Sequence, residues 1–216
     1  MTQSVYIDLE TTGLIPTYHH ITEIGIALVE NYTVVDMFHS LVVSPSVIMQ
    51  IQAGTLDDVI KEMHGPDGSG LLAKLVNVQA DSPGFFTPDK VEERAVEVVK
   101  AWNLGKVPVY GSSVHFDRGF LAAHMADLNN LFSHRCVDSS SQMEFVKYHY
   151  PTLTGAIEGD PSKEAKGNHD VISDIFFSID LQRRLDKWVY HVAAEARAIT
   201  LDSADPADLR KLVIGE

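Results

Sequence analysis

The stretch from Val5 to Leu14 constrains the fold and the chemistry of this chain more than any other. It reads Val-Tyr-Ile-Asp-Leu-Glu-Thr-Thr-Gly-Leu, and its first six residues have the period-2 pattern of a β-strand. Asp8 and Glu10 therefore point from one face at the C-terminal end of that strand. Two carboxylates held this close repel each other, and a divalent cation with oxygen ligands would relieve the repulsion. Two surface acids are the simpler reading of this motif alone, because 30 of the 216 residues are acidic.

The net charge restricts the kind of nucleic acid that such a chain could handle. It is −13, with 17 Lys and Arg against 30 Asp and Glu. A protein that holds long nucleic acid by its backbone normally presents a basic surface, since contacts with phosphates supply most of the affinity. If this chain acts on nucleic acid, we expect a small metal-lined pocket that engages few phosphates, and therefore short substrates.

Size, hydropathy and cysteine content indicate a globular protein of the cytoplasm. No stretch approaches the ~20 apolar residues of a membrane helix, and we expect no contact with a membrane. The single cysteine, Cys136, excludes an internal disulfide and a cysteine-based zinc site, and it suits a reducing compartment. A predicted strand begins within the first few residues, so we expect no signal peptide.

Apolar patterns along the chain predict an α/β fold. Residues 5–10, 20–30 and 34–43 alternate like three strands joined by short links, which is typical of an antiparallel meander. Short strands are predicted at 107–110 and 135–137, with Cys136 buried in the second. Helices are predicted at 56–63, 71–78, 88–102, 116–125, 139–148 and 169–189, the one at 139–148 capped by Ser139 to Ser141. Residues 152–167 are polar and predict a mobile loop. The inward face of the last helix is predicted to carry Ile172, Ile175, Phe176, Ile179 and Leu185.

Two further acids and a histidine complete a candidate site. Asp117 follows the strand predicted at 107–110, and Asp174 lies on the long C-terminal helix, five residues after His169. Five helical residues turn the side-chain direction by ~140°, so His169 and Asp174 cannot share one helix face. We therefore place His169 before the helix begins, at the end of the predicted loop. A histidine there suits a general base near neutral pH.

The order and spacing of these residues resemble the DEDDh 3′→5′ exonucleases, and the flanking motifs resemble the oligoribonucleases within them. The resemblance spans roughly residues 5–188. The motifs that carry it are Ile7-Asp-Leu-Glu-Thr-Thr-Gly-Leu14, His64-Gly, Ser69-Gly-Leu71, Gly111-Ser-Ser-Val-His-Phe-Asp-Arg-Gly-Phe-Leu121, Arg135-x2-Asp138-x-Ser140 and His169-x4-Asp174-Ile175.

The resemblance implies a fold and a reaction. The fold would be RNase H-like, with a mixed five-stranded sheet, its first three strands antiparallel, flanked by helices. Residues 1–190 would form the exonuclease domain, with 191–216 as a helical extension of it. The catalytic residues would be Asp8, Glu10, Asp117, His169 and Asp174, with the four acids holding two Mg²⁺ or Mn²⁺ ions. His169 would act as general base while 5′-mononucleotides are released from the 3′ end of short single-stranded RNA.

Other roles follow from the same resemblance. Leu14 would pack against the last two bases, and His64 would line their pocket. Ser113, Arg135 and Ser140 would grip a 5′ phosphate, a role that suits the forked guanidinium of arginine. Each has a purely structural alternative: loop packing for Leu14, helix capping for the two serines, and a surface ion pair for Arg135. A homodimer is also implied.

Three positions depart from the oligoribonuclease pattern. His134 stands where a stacking tyrosine is usual, Ser112 where asparagine is usual, and Phe116 where glutamine is usual. These departures leave the preference for dinucleotides and the homodimer open.

Three hypotheses about function remain. The first is an oligoribonuclease-like enzyme that degrades fragments of two to five nucleotides. The second is a proofreading or repair exonuclease that acts on longer single strands. The third is a catalytically silent nucleic-acid-binding domain, against which the intact set of acids argues.

Overall fold

A five-stranded mixed sheet organises the residues that the computed structural model describes, which are 3–82, 84–158 and 169–195. Its strands lie in the order β3-β2-β1-β4-β5. The first three pair antiparallel, and β4 and β5 continue the sheet in parallel with β1. This arrangement confirms the predicted sheet. The strands are β1 (Gln3–Thr11), β2 (Ile21–Glu30), β3 (Thr33–Leu41), β4 (Val109–Gly111) and β5 (Cys136–Asp138).

Helices cover both faces of the sheet. They are α1 (Pro45–Ala53), α2 (Asp58–His64), α3 (Leu71–Asp81), α4 (Pro88–Ala101), α5 (Val114–His124), α6 (Ala126–Asn129), α7 (Ser139–His149), α8 (Thr154–Glu158) and α9 (Val171–Glu195), with a 3₁₀ turn at Pro151–Leu153. None of the described helices is both long enough and apolar enough to cross a lipid bilayer.

Strand β1 divides the core into two layers. Val5, Ile7 and Leu9 point toward α4 and α5, where they are buried against residues such as Val91 and Phe120. Its alternate residues, beginning with Tyr6, face α9. A slip of one residue would exchange the two sets, so the apolar layer fixes the face on which Asp8 and Glu10 lie.

A glycine lets α9 approach the sheet beside these acids. Gly25 lies opposite Asp8 in the β1–β2 pairing. A Cβ atom added at Gly25 would lie 2.8 Å from Ile175 Cδ1 and 3.1 Å from Val171 Cβ. The first turns of α9 therefore pack directly on β2, and this contact brings Asp174 to the end of β1.

Several predicted details are wrong. Helix α1 was not predicted, and residues 152–158, predicted as loop, lie in the 3₁₀ turn and α8. Phe176 is exposed, because Ile175 takes the position facing the sheet and its neighbour points ~100° away. Cys136 is also exposed, since β5 is an edge strand. The cap of α7 is Asp138, whose side chain accepts a hydrogen bond from the Ser141 N–H.

Other predictions fall on residues that the structure does not describe. They are the rest of the predicted loop from 159 to 167 and the extension beyond Glu195.

The Gly25 contact gives a test of this packing. We expect Gly25→Val to destabilise the protein by about 1–3 kcal/mol, because the added methyl groups overfill the space beneath α9. Thermal unfolding measures the effect, with Gly155→Val as control, since a Cβ at Gly155 would meet nothing within 4 Å. Equal stability losses in the two variants would contradict the close approach of α9.

Candidate active site

Three of the predicted acids converge where β1 ends and α9 begins. Carboxylate oxygens of Asp8, Glu10 and Asp174 all lie within 4.8 Å of one another. The register of β1 against β2 shifts between Glu10 and Thr11, an irregularity that marks the end of the regular strand. Oxygen ligands in such a group are those that Mg²⁺ and Mn²⁺ prefer.

The fourth acid, Asp117, reaches the same strand from the opposite layer. It lies in the first turn of α5, is 3% exposed, and its Oδ1 accepts a hydrogen bond of 2.9 Å from the Leu9 N–H. Among neighbouring charges, Asp117 is the largest contributor to the raised pKa of Asp8. The two carboxylates are therefore electrostatic neighbours.

The four acids repel one another, and no Lys or Arg among the described residues offsets their negative charge. Burial, followed by repulsion from Asp117, Asp174 and Glu10, raises the pKa of Asp8 well above its usual value. Burial also raises the pKa of Asp117 to about 8, although backbone hydrogen bonds oppose the shift. The pKa of Asp174 rises to about 6, through burial and then repulsion from Glu10. No Lys or Arg of the described residues forms an ion pair with any of these acids.

His169 precedes the helix, as the spacing requires. Helix α9 begins at Val171 with Asp170 as its cap, whose Oδ1 accepts a hydrogen bond from the Ser173 N–H at 3.1 Å. His169 is exposed and has a left-handed backbone with φ 51°. Its charge acts to lower the pKa of Asp174, so the imidazole lies within electrostatic reach of the cluster.

A groove of about 520 Å³ runs beside the cluster. Glu10 lines one side, and the predicted base-contacting residues Leu14 and His64 line it as well. Leu14 is 78% exposed, so its side chain is accessible from the groove. Phe116 and Met63 add apolar surface to the groove. A groove of this size and character suits one or two flat rings rather than a long strand.

His64 joins the groove to the cluster. Its Nδ1 lies 3.1 Å from Ser69 Oγ, and its Nε2 lies 3.3 Å from Glu10 Oε2. The second contact lacks the geometry of a hydrogen bond, so Nε2 is a buried nitrogen without a hydrogen-bond partner among the described residues. The imidazole is thus placed to support Glu10 from the groove side.

The three residues predicted to grip a phosphate lie around the end of β4 and the two ends of β5. Asp138 Oδ1 accepts hydrogen bonds from the backbone N–H groups of Ser113, at 3.1 Å, and Ser141, at 3.0 Å. This carboxylate therefore joins the turn at Ser113 to the first turn of α7, where Ser140 lies. Arg135 is exposed, and its guanidinium forms no ion pair within the described ranges.

Sequence reasoning missed residues next to the site. Glu23 on β2 is 3% exposed and lies opposite Glu10, and it pairs with His39 on β3. Phe116 was noted only as a departure from a motif, although it lines the groove. The sequence holds little signal for Glu23, because its position opposite Glu10 depends on the register of the two strands.

Removing one acid should stabilise the protein when no cation is bound. When the pKa of a carboxyl group is higher in the folded protein than in the unfolded chain, the protein becomes less stable as pH rises from the unfolded pKa to the folded pKa. We therefore expect Asp8→Asn to be more stable than the wild type by at least about 1 kcal/mol at pH 8 in EDTA. At pH 4 the difference should shrink, because the raised pKa values keep Asp8, Asp117 and Asp174 largely protonated in the folded protein.

Thermal unfolding between pH 4 and pH 8 measures this difference. Asp67→Asn is the matched control, since Asp67 is exposed and outside the cluster. Parallel pH profiles for the wild type and Asp8→Asn would contradict the repulsion.

Comparisons with known proteins agree with this geometry. The chain is 32% identical over 178 residues to an oligoribonuclease of Streptomyces griseus, covering 81% of this chain and 80% of that protein. It is 31% identical over 179 residues to an oligoribonuclease of Bordetella pertussis, covering 82% and 89%. It is 29% identical over 181 residues to that of Buchnera aphidicola, covering 81% and 86%. No model of a protein family matches the chain.

Solved structures show the same fold. Exonuclease I aligns with a TM-score of 0.52 and 12% identity, covering 88% of this chain and 44% of that chain. A full-length 3′-exonuclease aligns with a TM-score of 0.51 and 17% identity, covering 88% and 82%. The fold is therefore that of the RNase H-like exonucleases. With identities above 30% across four fifths of its length, the chain belongs to the oligoribonuclease family.

Proposed function

We propose that this chain is a metal-dependent 3′→5′ exoribonuclease that degrades RNA of two to five nucleotides to 5′-mononucleotides. The observation that carries the proposal is the cluster of Asp8, Glu10 and Asp174 oxygens within 4.8 Å, next to a groove of about 520 Å³. Relatives named oligoribonuclease support this assignment. The acidic net charge of −13 argues against a long bound strand.

The donor set fits divalent cations. Asp8, Glu10, Asp117 and Asp174 offer carboxylate oxygens, repel one another and form no ion pair with a Lys or Arg among the described residues. Mg²⁺ or Mn²⁺ ions held there, two in our proposal, would neutralise the acids and the charge that develops on the phosphate. The raised pKa values mean that protons compete with the cations, so we expect binding to strengthen from pH 6 to pH 8.

His169 is proposed as the general base. Its imidazole is exposed, makes no hydrogen bond to the described residues, and is electrostatically coupled to Asp174. Because His169 precedes the cap of α9, the hydrogen bonds of the helix backbone do not fix its position. In this proposal the imidazole receives a proton from the attacking water.

The remaining residues would select a short RNA. Leu14 and Phe116 would pack against the terminal bases in the groove, with His64 beneath them. Arg135, with the hydroxyl groups of Ser113 and Ser140, would hold a phosphate at the 5′ side. A ligand whose 5′ end lies at this phosphate site makes few phosphate contacts, as expected for a chain with a net charge of −13.

The proposal also includes the compartment, the oligomeric state and the domain bounds of the enzyme. We expect a cytoplasmic homodimer in which residues 1–190 form the exonuclease domain and 191–216 extend it. Continuity of α9 through Glu195 supports a single domain across residue 190. Sedimentation velocity of the purified chain distinguishes a dimer from a monomer.

Substrate length provides the direct test of activity. We expect 5′-labelled RNA of two nucleotides to be cut faster than RNA of five or twenty nucleotides, and faster than DNA of the same lengths. Cutting should require Mg²⁺ or Mn²⁺ and should stop in EDTA. Asp8→Asn is the blank, because losing one carboxylate of the cluster should reduce the rate below detection while the protein remains folded.

Other results of this experiment would support a different function or contradict the metal site. Faster cutting of long strands would indicate a proofreading or trimming exonuclease with the same chemistry. No metal-dependent cutting of any substrate would leave a silent binding domain. Substantial activity in Asp8→Asn would contradict the metal assignment.

The role of His169 has its own test. We expect His169→Ala to lower turnover by about 10²- to 10⁴-fold, the usual contribution of a general base, while Mn²⁺ affinity stays within a few-fold of wild type. His149→Ala, another exposed histidine, is the control. An unchanged rate in His169→Ala would exclude His169 as the base.

A further inference from the structure

Glu23 lies on the strand next to the acidic cluster. The β1–β2 register places it directly opposite Glu10, and Gly25 directly opposite Asp8. Cross-strand partners project to one side of a sheet with Cβ atoms about 4.5–5.5 Å apart. The Cβ direction of Gly25 runs into Val171 and Ile175 of α9. Glu23, two residues away, therefore lies on the face that carries Glu10 and Asp174.

The surroundings of Glu23 are unfavourable for a charge. It is 3% exposed, and a second buried carboxylate, Glu10, stands across the strand pair. Like charges directly opposite each other destabilise a sheet. After burial and nearer acids, the Glu23 charge is among the causes that raise the pKa values of Asp8 and Asp174.

Only half of the Glu23 carboxylate is satisfied within the described residues. Oε1 lies 2.7 Å from His39 Nε2 on β3. Oε2 is buried and has no hydrogen-bond partner there. An unpaired buried oxygen of a charged group destabilises a fold by more than one hydrogen bond contributes. The ion pair with His39 accounts for Oε1, but it gives no reason for Oε2 to be buried without a partner.

We propose that Glu23 is a positioning residue of the metal centre, with Oε2 accepting a hydrogen bond from the hydration shell of a cation held by Asp8, Glu10 and Asp174. His39 holds the carboxylate through Oε1, which leaves Oε2 available for that hydrogen bond on the face of the sheet that carries Glu10. Partners of this kind beyond the direct ligands commonly change metal affinity by 10- to 100-fold. The proposal rests on the metal-dependent function proposed above.

Mn²⁺ affinity without substrate tests the proposal. Titrations of the 216-residue chain at pH 8, followed by the electron paramagnetic resonance of free Mn²⁺, would compare wild type with three variants. They are Glu23→Gln, which keeps the shape and removes the charge; His39→Gln, which frees Oε1; and Glu30→Gln, a matched control on the same strand. Thermal unfolding in EDTA runs in parallel.

We expect Glu23→Gln to bind Mn²⁺ about 10- to 100-fold more weakly, with metal-free stability equal to or above wild type. His39→Gln should weaken binding by a smaller factor, and Glu30→Gln should bind normally. A purely structural ion pair would give the opposite pattern, with both variants less stable and Mn²⁺ affinity unchanged. That result would overturn the inference, and so would normal affinity in Glu23→Gln with unchanged stability. Absence of Mn²⁺ binding by the wild type would instead overturn the proposed metal site itself, and the inference with it.

Discussion

Carboxylates at the end of β1 repel one another in surroundings that exclude much of the water, and the fold holds them together against that repulsion. Packing supplies the opposing free energy. Val5, Ile7 and Leu9 are buried on one side of β1, which forces Asp8 and Glu10 onto the other. On that side α9 lies close to β2 over Gly25, and its first turn delivers Asp174. Part of the free energy gained by packing the core therefore offsets the repulsion within a site that favours protonation or cation binding.

This arrangement explains why a chain of net charge −13 can act on RNA. Without cations the cluster would repel a phosphate, and with them the local charge is neutralised or reversed. In the proposed function, affinity would come from a few contacts at one end of the substrate rather than from a basic surface. The exposed Leu14 and the partly buried Phe116 give the groove an apolar lining that fits bases. A short substrate is the natural consequence of this geometry.

Elements with strong local patterns were predictable from the sequence. The period-2 alternation around Asp8 gave the face of β1, and the five-residue spacing to Asp174 required His169 to precede α9. Features set by tertiary packing were not predictable. Ile175 and Phe176 look alike in the sequence, and only the contact over Gly25 decides which one is buried. Cys136 resembles a core residue, but its strand is at the edge of the sheet. Glu23 is one of 30 acids, and only the register opposite Glu10 distinguishes it.

The proposed reaction requires the carboxylate cluster to bind divalent cations. Isothermal titration calorimetry of Mn²⁺ into the metal-free protein at pH 8 tests it most directly. We expect saturable binding that disappears in Asp174→Asn and persists in Asp67→Asn, whose exposed carboxylate lies outside the cluster. If the wild-type protein binds no Mn²⁺, or the Asp174→Asn variant binds it equally well, the cluster is not the cation site.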